Sequence, residues 1–525
     1  MGSFLHEHFV SWFIFLAVLL SSLLLFIGLD TRDFYQDEYQ VIGAAYSYHQ
    51  GHDFYKWDWI ENTSGDNTAC IEEDQYCHYT RAWPHTWLIA QSYHLFGISE
   101  WSSRLVSVLF GLLMAGISYP ISYYFTKDRL VSVLVTISVI FMPSFIEMFR
   151  YTRMYALLVP LFFLLSYTSS RALLETSDLQ FLNKNSAISR FLRKFANFKY
   201  AYVFFSLILL ALLYQIHVNS LIILPIGGLF VIMLYLFTRE GRYLTLLGLG
   251  GIAVALASVF IFFSDGAIMG HLGFLTRQNY DYLSYLSRHP FSVLVGGVLL
   301  GISFLNIPYY LKIQRYQMLL VYLMVIVSLP FFIWMADRYP SFYYISHIVP
   351  FSLILIMVGL KRGVDLLSAR EFSSARLVGV NILITTVIGF SILTFLRNID
   401  TIYGNAHDYG QYDIAYETIR EEFDPDEQVL FGQYLRTYYL RDTNISYDQI
   451  IDMQNKKQYS MAEFQADLAQ HQSGWIIWAE DKSYHLPEQM IAYIRGNFQQ
   501  VHGPDVDETK VFVYYYDQSM ISFED

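Results

Sequence analysis

Long apolar runs alternate with short polar connections up to about residue 397. The first run covers 9–29, and ten more follow at 102–126, 130–146, 154–172, 201–216, 219–237, 243–263, 291–311, 317–335, 341–360 and 377–396. A run of about twenty apolar residues can cross a bilayer as a helix, so the pattern predicts about eleven transmembrane helices. The first is expected to be retained rather than cleaved as a signal peptide, because it is longer than the usual apolar region and no small-x-small site precedes Asp30.

The pattern changes in 398–525, where segments of helical period alternate with short apolar segments of strand type. The predicted helices are "YDIAYETIREEF", "QYLRTYYL", "MAEFQADLAQHQ" and "PEQMIAYIRGNF", and the predicted strands are "EQVLFG", "GWIIWAE" and "KVFVYYY". Such alternation is typical of an α/β layer domain. We therefore predict a transmembrane domain, 1–397, with an outer loop at 30–101, and a soluble α/β domain, 398–525, that docks or faces an acceptor.

The composition agrees with a polytopic α-helical membrane protein. Hydrophobic residues make up 54% of the chain and charged residues only 15%. A soluble protein carries about a quarter charged residues. The formal net charge of −12 also argues against a nucleic-acid partner.

Basic residues are concentrated in alternate connections between the apolar runs. These connections hold Lys127 and Arg129; Arg171, Lys184, Arg190, Arg193, Lys194 and Lys199; Arg239 and Arg242; Lys312 and Arg315; and Lys361, Arg362, Arg370 and Arg376. The positive-inside rule places them in the cytoplasm. We expect an integral plasma-membrane protein whose 30–101 loop and C-terminal domain are extracytoplasmic.

The only two cysteines, Cys70 and Cys77, fall in the predicted outer loop. An oxidising compartment would allow them to form a disulfide that closes a short loop. Two free thiols are the alternative.

Two adjacent carboxylates, Asp37 and Glu38, follow the first apolar run in "YQDEYQVIGAAYSYHQG". The apolar spacing after them predicts a helix that Gly51 can end. Asp37 is a natural N-cap for this helix, and Gln40 can complete a capping box. A reaction centre is the alternative, and the two interpretations are compatible, because a helix N-terminus favours an ionised carboxylate.

Two arginines flank a short apolar segment in His78–Gly111. The segment before Gly97 is too short to span and predicts an interfacial helix, preceded by Arg81. Arg104 sits just inside the following span, where an arginine is costly and usually has a partner. Snorkelling to the interface is one interpretation, and binding of an anionic phosphate is the other.

A third stretch, "IEMFRYTRMYALL", lies at the predicted outer junction of the third and fourth spans. It brings Glu147, Arg150 and Arg153 into seven residues, with Tyr155 just beyond. Glu147 and Arg150 would share a helical face, as a structural pair or as part of a site. Weaker candidates at other outer helix ends are His217, Asn219, Asp265, His271, Arg277, Asp281, Asp337, Arg338, Tyr339 and His347.

All the main candidates are predicted to lie on the outer face of the membrane. Carboxylates and arginines beside an interfacial helix suit a reaction on a lipid phosphate, and no Walker A loop, HExxH or nucleophile elbow is present in the sequence. A transporter or flippase of lipid-linked sugars is the alternative, although ionisable residues are then expected within the membrane. A non-catalytic scaffold that presents the C-terminal domain is a third hypothesis.

The chain resembles the GT-C glycosyltransferases, in particular the superfamily of protein O-mannosyltransferases and lipid A aminoarabinose transferases. The residues that carry the resemblance are "YQDEYQVIGAA", "RAWPHTWLIAQSYHLFGISEWSSRLVSVLFG" and "IEMFRYTRMYALL". The resemblance implies an inverting transferase that moves a hexose or pentose from a polyprenyl-phosphate donor to the hydroxyl of a protein, glycolipid or polysaccharide.

The resemblance also implies roles for individual residues. Asp37 would be the base, Glu38 would orient acceptor or sugar, and Glu147 would be a further acid of the site. The donor phosphate would be held by Arg81, Arg104 and Arg338, although the family's Lys-Pro-Pro-like run is here "TRAWPH". The residues that would line the site are Arg150, Arg153, Tyr155, His217 and Tyr339. Some relatives bind a divalent metal, for which His217 and His271 are the candidate ligands.

Overall fold

The computed structural model describes residues 2–31, 33–34, 36–60, 62–64, 78–79, 82–176, 197–263, 290–335, 342–368, 373–403, 412–431, 437–441, 443–453, 459–479, 486–503 and 511–520. Contacts divide the chain into two compact units. The helical unit comprises Met1–Leu25, Ser107–Arg150 and Met154–Leu396. The mixed unit comprises Phe26–Val106, Tyr151–Arg153 and Arg397–Asp525. The predicted domain boundary between residues 397 and 398 stays a prediction. The mixed unit contains both the first loop and the C-terminal region.

The helical unit is built from the apolar segments. Its helices are α1 (Gly2–Phe26), α4 (Glu100–Thr126), α5 (Arg129–Phe141), α6 (Pro143–Arg150), α7 (Tyr155–Leu174), α8 (Tyr200–Ile216), α9 (Ile223–Thr238), α10 (Gly241–Phe263), α11 (Pro290–Phe304), α12 (Ile307–Lys312), α13 (Gln317–Met335), α14 (Phe342–Ile345), α15 (Val349–Ser368) and α16 (Ser373–Arg397). The ends of α1, α4 and α16 extend into the mixed unit.

Every predicted apolar span coincides with helix, but the number of crossings stays a prediction. In the described part of the chain, six helical segments are long and apolar enough to span, and the bent pair α5–α6 would be a seventh. The bend is 55° and falls where Pro143 begins α6, because proline has no N–H to continue the ladder. The predicted run 291–311 is likewise broken, into α11 and α12.

Close helix packing within this unit depends on small residues. Helices α11 and α15 pack against each other. A Cβ atom on Gly359 of α15 would collide with the backbone carbonyl of Leu299 in α11. Only glycine allows this approach of the two backbones.

The mixed unit contains α2 (Gln36–His49), α3 (Trp83–Phe96), α17 (Ile399–Tyr403), α18 (Tyr412–Glu422), α19 (Met461–Leu468) and α20 (Glu488–Asn497). Helix α3 confirms the short helix predicted before Gly97, where the backbone takes φ 74°. Strands β1 (Trp57–Asp58) and β2 (Thr63–Ser64) form a small antiparallel ribbon. The main sheet comprises β3 (Gln428–Phe431), β4 (Ile450–Asp452), β5 (Ser473–Ala479), β6 (Gln499–His502) and β7 (Val511–Asp517).

The main sheet has the order β4-β3-β5-β7-β6. Strand β3 pairs in parallel with β4 and β5, whereas β7 pairs antiparallel with β5 and β6. The three predicted strands are confirmed as β3, β5 and β7, and β4 and β6 are additional. Three predicted helices are confirmed as α18, α19 and α20. Of the fourth, "QYLRTYYL", the described part is a 3-10 turn, Thr437–Leu440.

One hydrophobic core unites the first loop with the C-terminal region inside the mixed unit. Phe34, Ile42 and Trp59 pack in the same cluster as Val429 and Trp475 of the main sheet. The other face of the sheet has its own core, which includes Leu430, Ile476, Phe464 and Ile494. Neighbouring strand residues thus enter different cores, as the alternation of a strand requires.

Candidate active site

A buried ion pair joins Glu38 of α2 to Arg104 of α4. The Glu38 side chain is fully buried and that of Arg104 is 2% exposed. The arginine donates from Nη2 to Oε2 at 3.1 Å and from Nε to Oε1 at 3.3 Å. This two-point geometry fixes the carboxylate in orientation as well as in distance.

Backbone groups complete the surroundings of the pair. Arg104 also donates to the carbonyl oxygens of Leu29 and Asp33, each at 2.9 Å. Glu38 Oε1 accepts from the amide of Thr152 at 2.7 Å. The Phe34 ring lies 5.3 Å from the guanidinium carbon. The pair therefore holds together three segments of the mixed unit that are distant in sequence, around residues 29–38, 104 and 152.

Asp37 is the second residue of α2, which begins at Gln36. The helix thus begins before Asp37, so the prediction of Asp37 as its N-cap residue is wrong by a shift that is within the usual scatter of helix ends. Asp37 remains in the first turn, where the helix dipole favours a negative charge. Its neighbour Glu38 is anchored, and this fixes the rotation of the first turn and the backbone position of Asp37.

His85 and Arg153 form a second feature of the mixed unit. His85, in the first turn of α3, is fully buried. Burial, together with the positive charge of Arg153, lowers the pKa of His85 to about 3. The imidazole is therefore neutral over the physiological range, and Arg153 is the fixed positive charge beside it.

The remaining described candidates belong to the helical unit. Glu147 is half-buried and Arg150 is buried near the end of α6. Arg150 donates from Nη1 to the carbonyl of Leu25 at 3.1 Å. Tyr155 begins α7 and stacks on Tyr343 with ring centroids 5.4 Å apart.

His217 lies beside Tyr155, with ring centroids 5.4 Å apart. Its Nδ1 accepts a hydrogen bond from the amide of Asn219 at 3.1 Å. His347 is buried, with its ring against Phe162 at 4.9 Å. Among the described residues, no group of three metal-ligating side chains surrounds His217 or any other position. These residues supply no ligand set for a metal, and the possible metal stays a prediction.

Several predicted site residues lie outside the described part of the chain. They are Arg81, Asp265, His271, Arg277, Asp281, Asp337, Arg338 and Tyr339, together with Cys70 and Cys77. Their roles stay predictions.

The structure thus brings Glu38, Arg104 and the backbone of Asp37 together in the mixed unit. It adds one contributor that the sequence did not predict, the Thr152 amide. It also places a buried histidine, His85, next to the charge of Arg153. Thr152 lies inside the predicted site stretch "IEMFRYTRMYALL". Its donor is a backbone amide, which any residue except proline has, so the type of side chain does not reveal it. The buried state of His85 could not be read from "RAWPHTW".

Solved structures match nearly the whole chain. ArnT from Cupriavidus metallidurans in the apo state is 13% identical, with 98% of this chain and 99% of that chain covered and a TM-score of 0.54. The same protein bound to undecaprenyl phosphate gives a TM-score of 0.52 at the same identity and coverage. The oligosaccharyltransferase AglB from Archaeoglobus fulgidus, in complex with an inhibitory peptide and a dolichol-phosphate, is 14% identical over 90% of this chain and 69% of that chain, with a TM-score of 0.56.

No protein-family model matches the chain, and no curated protein sequence does either. ArnT and AglB are both GT-C fold glycosyltransferases. At 13 and 14% identity the likeness concerns the fold. The expected GT-C membrane fold is thereby confirmed.

Proposed function

We propose that this GT-C fold protein is an inverting glycosyltransferase that moves a sugar from a polyprenyl-phosphate donor to an acceptor hydroxyl at the outer face of the membrane. The observation that carries the proposal is the buried Glu38–Arg104 pair, which anchors the first turn of α2 next to Asp37. The fold shared with ArnT bound to undecaprenyl phosphate and with AglB in complex with a dolichol-phosphate supports the class of donor.

Asp37 acts as the general base in this proposal. It takes the proton from the acceptor hydroxyl as the oxygen attacks the anomeric carbon, and the bond from that carbon to the lipid phosphate breaks on the opposite side. The products are the glycosylated acceptor with inverted configuration and free polyprenyl phosphate. A position in the first turn of a helix favours the ionised form of the Asp37 carboxylate, which is the form that can accept a proton.

Glu38 and Arg104 act as positioning residues. Both are enclosed, and the contacts of Arg104 with Glu38, Leu29 and Asp33 satisfy several of its five N–H donors. We therefore propose that Arg81 and Arg338 bind the donor phosphate and that Arg104 acts through Glu38. The positive charges of Arg81 and Arg338 stabilise the leaving phosphate as negative charge develops on it.

Glu147 is proposed as a second acid of the site, with Arg150, Arg153, Tyr155, His217 and Tyr339 as lining residues. The C-terminal residues 398–525 are proposed to be extracytoplasmic and to support the site, because their core includes Phe34 and Ile42 from either side of Glu38.

The test uses purified full-length protein in proteoliposomes. The probes are undecaprenyl- and dolichyl-phosphate sugars labelled in the sugar, and membranes from source cells that lack the protein supply the acceptor. The proposal predicts release of polyprenyl phosphate together with label on the acceptor. Movement of intact labelled donor into the vesicle lumen, without product, would replace the proposal with a transporter.

A further inference from the structure

A polar cleft of about 330 Å³ lies within the helical unit, away from the residues discussed above. Its volume falls in the range of small-ligand sites, about 300–1,000 Å³. Four segments line it: the α4–α5 turn, the α11–α12 break, the α12–α13 connection and the last turns of α15. The charge pattern assigns this end of the helices to the cytoplasm. Helix α5 leads from here toward Glu147 and Arg150 at the other end, roughly 20 Å away along α5 alone.

Charged side chains from three of the four segments converge on the cleft. The cations are Arg315, Lys361 and Arg362, and the carboxylates are Asp128 and Asp365. One positive charge is therefore in excess. Tyrosine hydroxyls and an amide from the fourth segment add neutral hydrogen-bonding groups at Tyr309, Tyr310 and Asn306.

Some of these charged side chains already bind other groups of the protein. Asp128 caps α5 by accepting from the Val131 amide at 3.2 Å, and it pairs with Lys361. Arg315 donates from Nη1 to the carbonyl of Thr126 at 3.1 Å, which uses one of its five N–H donors. Arg362 is exposed at the cleft. The two guanidinium groups thus retain donors for a ligand, and Asp128 is neutralised by Lys361.

We propose that this cleft binds a phosphate ester, with Arg315 and Arg362 on the phosphate and Asp365 on a hydroxyl or amino substituent. Guanidinium groups bind phosphate oxygens through paired N–H donors. Arg362 and Asp365 are three residues apart on α15 and share a helical face, so one ligand can reach both. The carboxylate selects against bare inorganic phosphate and for an ester that carries a hydrogen-bond donor. A phospholipid headgroup and a free phosphate ester share this chemistry.

The test measures ligand binding to purified, delipidated full-length protein by calorimetry. The probes are dihexanoyl-phosphatidylglycerol, glycerol 3-phosphate and inorganic phosphate. We expect Arg362→Gln to weaken binding of the organic esters about tenfold, because one charge-assisted contact is lost. Arg239→Gln is the matched control, since Arg239 is exposed, is a predicted cytoplasmic arginine and does not line the cleft.

The source of the ligand follows from the probes. Binding of the short-chain lipid alone identifies a lipid headgroup, and equal binding of glycerol 3-phosphate identifies a free ester; both outcomes support the site. Asp365→Asn is expected to reduce the preference for either ester over inorganic phosphate. No binding of either ester, or equal weakening by Arg239→Gln and Arg362→Gln, would overturn the proposal. Unchanged melting temperatures without ligand show that the variants are folded.

Discussion

The guanidinium of Arg104 donates to a carboxylate and to two backbone carbonyls, and its side chain is almost fully buried. An arginine removed from water is costly unless such partners compensate for the lost hydration. The sequence indicated that Arg104 needs a partner, but Glu38 is 66 residues away and could not be identified from spacing. The implied role as a phosphate ligand competes with these contacts.

Replacement of Arg104 by lysine tests this role. Lysine keeps the charge but cannot bridge both carboxylate oxygens and two carbonyls, so we expect a loss of about 2 kcal/mol in the free energy of unfolding. Transfer is expected to fall mainly in kcat, with the donor KM little changed, because Arg104 is proposed to act through Glu38. Thermal denaturation and steady-state kinetics measure the two effects, with exposed Arg129→Lys as control. A large rise in donor KM at unchanged stability would favour direct phosphate binding instead.

His85 makes stability depend on pH in a defined window. Its pKa is about 3 in the folded protein and 6.5 ordinarily, so below about pH 6.5 the unfolded chain binds a proton that the folded chain does not. Stability contributed by neutral His85 is therefore complete above pH 6.5 and is lost toward pH 3, by about 1.4 kcal/mol per pH unit.

The measurement is the denaturation midpoint at pH 7.5 and at pH 5, on either side of the ordinary histidine pKa of 6.5. His85→Gln should reduce the change of the denaturation midpoint with pH below about pH 6.5. His52→Gln, at an exposed position, should leave this pH dependence unchanged. Identical slopes in wild type and His85→Gln would show that the acid sensitivity has another origin.

Helix α2 and the segment before it are held by the C-terminal region of the mixed unit. The amide of Phe34 donates to the hydroxyl of Tyr439 at 2.9 Å. The Phe34 ring also meets Tyr438 edge to face at 5.0 Å. Since Phe34 lies against Arg104, this contact extends the support of the ion pair to residues about four hundred positions later.

Tyr439→Phe removes the acceptor from a buried amide and keeps the ring. We expect a cost of about 1–3 kcal/mol in unfolding free energy, with reduced kcat. Tyr447→Phe is a matched control, because that hydroxyl also bonds the first loop, at Asp58, but on the exposed surface. Chemical denaturation of both variants beside wild type decides the point. Equal, small effects would contradict a supporting role for Tyr439.

At the scale of elements, apolar periodicity predicted the helices of the helical unit and the longest strands well. Strands β4 and β6 were not predicted, because "IID" is too short and "QQVH" too polar to show alternation. They form by pairing with β3 and β7. The α5–α6 bend was hidden inside one continuous apolar run. Its cause, Pro143, acts on the backbone and does not interrupt hydropathy.

Hydropathy along the sequence separates apolar from polar segments, but it does not show which of the polar segments share a core. The first loop and the C-terminal region are hundreds of residues apart, yet Trp59 and Trp475 belong to one cluster. Such pairing depends on tertiary packing, which hydropathy along the chain does not encode. The GT-C fold was accessible only because three short stretches resembled known motifs.

The native cysteines allow a test of orientation. We expect a membrane-impermeant maleimide to label Cys70 and Cys77 in intact cells, because their loop is predicted to lie outside. Labelling that requires prior reduction would indicate the disulfide. A Lys312→Cys variant without the native cysteines should be labelled only after permeabilisation. The reverse pattern would invert the topology and with it the location of the proposed site.

We propose that Asp37 is the base of a glycosyl transfer, and the transfer rate of an Asp37→Asn variant tests this role. The assay uses labelled polyprenyl-phosphate sugar, with Asp30→Asn as a matched exposed control seven positions earlier. If Asp37 is the base, Asp37→Asn should lose transfer activity about a hundredfold or more at an unchanged melting temperature, and Asp30→Asn should keep normal activity. Wild-type transfer by well-folded Asp37→Asn protein would contradict it.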